Sequence, residues 1–76
     1  MTANERNDFL YGLVQNYVIE KQNNVVYNRD NAESYSYTKG RLNGALTALE
    51  LDMVETPLYV IIETRQRKEL LRYQIS

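Results

Sequence analysis

Arg65, Lys68 and Arg72 stand at i, i+3 and i+7, with Gln66, Arg67, Tyr73 and Gln74 around them, a spacing that gathers three cations on one face of a helix. A basic helical face can neutralise phosphates, so nucleic-acid contact is one chemistry open to these residues. Three charges are few, however, and the whole chain carries a net charge of −1. The favoured reading is a solvated face, or salt bridges between subunits to Glu50, Asp52 and Glu55. Those three acids could themselves suggest a cation site or an acid–base pair. No histidine or convergent polar cluster accompanies them, so they too are read as solvated.

The chain has 76 residues, no cysteine and no histidine. Disulfide stapling, the usual transition-metal clusters, Ser-His-Asp triads and Cys-His pairs are therefore all unavailable. Neither an acidic calcium loop nor a Gly-rich phosphate loop is written in it. The expectation is a non-enzymatic protein with no cofactor and no metal. The first residues, MTANERNDF, lack the basic-then-apolar order of a secretory signal, and the longest apolar run, residues 58 to 62, is far short of the roughly 20 residues of a membrane span. A cytoplasmic protein without membrane partners is expected.

Seven tyrosines against one phenylalanine and no tryptophan shift the aromatic balance toward the residue that joins an apolar ring to a polar tip and is enriched at interfaces. Tyr35, Tyr59 and Tyr73 are candidates for a partner surface. Tyr35 and Tyr37 lie about 200 degrees apart on a helix, so they cannot share one environment.

The elements that must position these groups are read as three helices. Thr2 and Glu5 have the spacing of a capping box, and Phe9, Leu10, Leu13, Val14, Tyr17 and Val18 form a broad helical stripe, giving a first helix over residues 3 to 22. Residues 22 to 31, rich in asparagine, read as a loop with Val25, Val26 and Tyr27 tucked over the helix ends. Asp30, Asn31 or Ser34 would cap a second helix over residues 32 to 53, with Tyr35, Thr38, Leu42, Ala45, Leu46, Leu49 and Met53 as its core stripe. Thr56-Pro57 reads as N-cap and first position of a third helix ending near Gln74. The alternative is an α+β arrangement, in which residues 25 to 27 pair with a strand at 58 to 62, because Leu-Tyr-Val-Ile-Ile is rich in β-formers.

Gly40, Gly44 and Ala48 fall roughly 160 degrees or more from the centre of the second stripe. Each helix-interior glycine costs about 1 kcal/mol relative to alanine, which close packing by another helix could offset. Tyr37 and Leu51 flank this small-residue face, so the second helix reads as a long central one packed on two sides. Its groove would hold a helix of the same chain or, on the other reading, a second subunit. Two alternatives are weaker: a hairpin turn at Asn43-Gly44, whose flanks do not alternate, and a helix ending at Gly40.

These observations lead to an all-α domain of three helices. Its expected role is a self-associating interaction or regulatory protein, a homodimer with a protein partner bound through tyrosine-rich helical surface. Small asparagine-rich chains without catalytic residues are often accessory proteins of bacteria or their phages, an association of composition alone. A nucleic-acid-binding regulator using Arg65, Lys68 and Arg72 is the alternative.

Overall fold

The computed structural model describes residues 1–27 and 32–75, with side chains at 1–23 and 35–75. It contains two helices, α1 (Ala3–Tyr27) and α2 (Ala32–Ala48), followed by three strands, β1 (Leu51–Glu55), β2 (Tyr59–Thr64) and β3 (Glu69–Gln74). The strands form an antiparallel meander in the order β1-β2-β3. The fold is therefore α+β, and the expected all-α bundle of three helices is overturned.

At the N-terminus the capping box forms as its spacing requires. Thr2 Oγ1 accepts from the Glu5 N–H at 3.2 Å, and a Glu5 carboxylate oxygen accepts from the Thr2 N–H at 3.3 Å. Helix α1 then runs five residues beyond its expected end, through Tyr27. Asparagine in a helix costs under about 1 kcal/mol per residue, so a run of them weakens a helix without forbidding it. Residues 22 to 27 are accordingly helical rather than looped, while Asp30 and Asn31, and the side chain of Ser34, lie outside the described residues.

Helix α2 ends at Ala48, not Met53. Leu49 and Glu50 donate the last helical hydrogen bonds, to Ala45 and Thr47, and Glu50 adopts φ 57°. That left-handed residue turns the chain straight into β1, the role usually given to glycine after a helix. Asn43 and Gly44 are helical, as is Gly40, so neither the hairpin nor the early helix end is present.

Thr56-Pro57 opens a turn between strands instead of a third helix. Thr56 Oγ1 accepts from the N–H groups of Leu58 and Tyr59 and donates to the Tyr59 carbonyl, while the Thr56 N–H also reaches that carbonyl at 2.9 Å. A threonine bonding to N–H groups two and three residues ahead is the geometry of a helix N-cap and of a polar β-turn alike. What decides is downstream: Val60 and Ile62 are buried while Tyr59, Ile61 and Glu63 are more open, the alternation of a strand. The alternative pairing fails as well. Residues 25 to 27 are the last turn of α1, and β2 pairs with β1 and β3.

Both helices cover one face of the sheet, α1 packing on β3 and α2 on β1. Leu10, Leu13, Val14, Tyr17 and Val18 of α1 meet Leu42 and Leu46 of α2 above Leu51, Val60 and Ile62. Phe9, expected in this stripe, is 46% exposed. Met53 still packs against the core, but from the inner face of β1.

Candidate interaction surface

Helix α2 buries Leu42 and Leu46 and turns its other side outward, where Tyr37, Gly40, Arg41, Gly44 and Ala48 are all exposed. Tyr37 is 68% exposed, with the Arg41 guanidinium 5.7 Å from its ring centroid one helical turn away. Among the described residues, a methyl group added at Gly40 or Gly44 would meet nothing within 4 Å. The expectation that a helix of the same chain fills this groove is thus overturned, because α1 packs on the opposite side of α2. Leu51, expected to flank the groove, is only 6% exposed and belongs to the core from β1.

The three tyrosines proposed as one partner surface are placed apart. Tyr35 is half-buried and stacks on Tyr17 of α1 with centroids 5.8 Å apart. Tyr73, on β3, packs against Tyr11 at 5.2 Å. Tyr59 lies on the face of the sheet away from the helices, with the Arg72 guanidinium 4.3 Å from its ring.

With the third helix gone, the basic residues lose their common face. Arg72 sits in β3 and bonds Glu69 at 2.8 Å, an interaction that raises its pKa. Arg65 and Lys68 instead belong with Arg67 to the turn between β2 and β3. That turn is closed by the Arg67 N–H on the Thr64 carbonyl at 2.8 Å and by Arg67 itself at φ 67°. All three turn cations are exposed, and among the described residues none joins a salt bridge.

Sequence spacing gave no sign of a convergent polar cluster at the end of β1. The Tyr17 hydroxyl donates to Glu55 Oε1 at 2.6 Å, and Lys21 Nζ lies 2.9 Å from Glu55 Oε2. Burial pushes the Tyr17 phenol far up, and its hydrogen bond to Glu55 adds to the shift. Burial alone would raise Glu55. The bonds from Tyr17 and Lys21 and the charges of Lys21 and Lys39 outweigh it, holding the carboxyl below its ordinary range. The Lys21 ammonium is raised by its bond to Glu55. A phenol held this firmly in its protonated form ties α1 to β1 and moves no proton near neutrality. Glu55 is therefore spent within the chain, not left for a bridge between subunits.

Among the described residues no cavity opens, no group of acids could hold a metal ion, and no helix is long and apolar enough to cross a membrane. Beside the Glu55 cluster, the geometry offers two surfaces: the open face of α2 and the basic turn. Compared with protein-family models, curated proteins and solved structures, the chain matches none.

Proposed function

We propose that this protein is a non-enzymatic interaction or regulatory module that self-associates and meets a macromolecular partner through the open face of α2. The supporting observation is Tyr37, 68% exposed beside two helical glycines whose missing methyls face empty space. Among the described residues nothing packs against either glycine to offset the roughly 1 kcal/mol that each costs the helix. A surface that approaches closely in an assembly would offset it, and an exposed tyrosine beside the gap is the kind of side chain that anchors interfaces. A chain of this length also buries a limited core, which association would extend.

Two variants test the reading by light scattering. Gly44→Leu adds a bulky group where the isolated chain has room, and Tyr37→Ser removes the anchor. Both should stay folded and lose association. Unchanged association in both would remove α2 from the proposal.

The second reading, phosphate contact, is favoured by the basic turn, where Arg65, Arg67 and Lys68 project without ion-pair partners among the described residues. Duplex binding that weakens steeply with salt and is lost when all three become alanine would support it over the first. No binding at low salt would dismiss it.

A further inference from the structure

We infer that β1 is the edge through which two copies of this chain join, antiparallel and centred on Met53, into one continuous six-stranded sheet. The inference rests on the self-association proposed above and names its interface. A three-stranded meander has two open edges, and they are not alike. On β3 the register slips opposite Ile62 and Glu63, a bulge of the kind that bends an edge away from further pairing. On β1 the pairing is regular over all five residues and the strand holds no proline, glycine, lysine or bulge; its two charges are Asp52, on the face away from the helices, and Glu55, paired with Lys21.

The backbone of β1 alternates in a known direction. The Thr56 N–H bonds the Tyr59 carbonyl, so the alternation of an antiparallel ladder turns Asp52 and Val54 toward β2. Leu51, Met53 and Glu55 then present their N–H and C=O groups to the open side. A two-fold axis at Met53 pairs each of these with an outward-turned residue: Met53 with the partner's Met53, and Leu51 with the partner's Glu55 in both directions. All six outward groups on each strand are satisfied.

The side chains fit the same register. Asp52 falls opposite the partner's Val54 and Glu55 opposite the partner's Leu51, so no two acids oppose each other directly, although the strand carries three acid-free positions and two acids. A second copy meets this pattern by symmetry, with no like charges directly opposed.

The helix layer supplies an independent reason for a second copy. Helices pack about 8–10 Å apart, so two of them need more width than three strands spaced about 4.8 Å provide. Continuing the sheet across β1 therefore crowds α2, the helix on β1, against the partner's α2. Crowded helices need small residues, and α2 has Gly40, Gly44 and Ala48 outward, with nothing among the described residues against the glycines.

Two substitutions at one position and one backbone change test the register, read as the monomer–dimer dissociation constant by sedimentation equilibrium on the full chain. Val54→Lys sets a cation opposite the partner's Asp52 at both symmetric positions and should tighten the dimer about 2- to 30-fold, while Val54→Glu should weaken it by a similar factor. Total synthesis with an N-methyl group on the Met53 amide keeps the side chain but removes the central donor, and should weaken the dimer by at least about 30-fold. Circular dichroism confirms that each variant is folded. A wild-type dimer that persists unchanged in the N-methyl protein, with the two Val54 variants shifted in the same direction, would overturn the edge and leave self-association standing. A wild type that never dimerises would overturn both.

Discussion

Replacing Gly40 and Gly44 together by alanine should stabilise the isolated chain and weaken its association. Each glycine is helical and exposed, and each added methyl has open space for 4 Å, so the full propensity gain is available without a steric penalty. At about 0.8–1 kcal/mol per site the pair contributes about 1.5–2 kcal/mol. For a domain of this size that raises the melting temperature by roughly 6–16 °C. In an assembly where another helix lies against the face, the same two methyls overpack the contact, at about 1–3 kcal/mol per site. Thermal melts at about 1 μM and about 300 μM separate the two effects, since association stabilises by mass action only at the higher concentration. The wild type should gain melting temperature on concentration. The double variant should melt higher than the wild type when dilute and gain less. A lower melting temperature for the variant at the dilute end would mean that something in the chain already occupies the face, and the reasoning would fail.

The tie at the end of β1 gives two further expectations. Tyr17→Phe keeps the ring stacked on Tyr35 but removes the donor to Glu55. It should cost about 1–2 kcal/mol, the lower part of the range for bonds to charged groups because Glu55 is one-third exposed and water can replace the phenol; the urea midpoint should fall with an unchanged slope. Glu55 has a native pKa below its unfolded value of about 4.3, so its contribution is present above that pH and is lost as pH falls through the native pKa. The stability gap between wild type and Glu55→Gln should stay level near neutrality and close in acid, and a gap as wide at about pH 2 as at about pH 7 would contradict the tie. Glu50→Gly relieves a left-handed residue at φ 57° and should stabilise by about 0.5–1 kcal/mol in a thermal melt. A loss there would show that the Glu50 side chain contributes more than its backbone strain costs.

The legible parts of this fold were those decided locally. The capping box at Thr2 and Glu5, the stripe from Leu10 to Val18 and the position of Gly40 and Gly44 on the side of α2 opposite Leu42 and Leu46 follow from spacing alone, whereas the expected packing of another helix of the chain on that side does not appear. Where the chain reverses direction, the usual punctuation is missing or exchanged. All three glycines lie in helices, whereas the positive-φ residues among those described are Glu50 and Arg67, so neither the end of α2 nor the β2–β3 turn is marked by the residue that permits it. Thr56-Pro57 is ambiguous for a different reason, since one set of side-chain bonds serves a helix start and a strand turn. Leu58 to Ile62 can be set on a helical stripe or a strand, and only pairing with β1 and β3 settles which. The Tyr17–Glu55 bond joins residues 38 apart in sequence, and no spacing rule reaches that far. Losing the third helix dispersed Arg65, Lys68 and Arg72, while Tyr37, Gly40, Gly44 and Ala48 stay together because their spacing depends on one helix only, even though the helix expected against them is absent.

Sedimentation equilibrium of the wild-type chain, from about 1 μM to about 300 μM, tests self-association most directly, because that range brackets the weak and moderate affinities open to a small interface. The expected result is a mass rising from 9.0 kDa toward twice that value as concentration increases. A mass of 9.0 kDa across the whole range would contradict the account and leave the glycines of α2 without a physical reason.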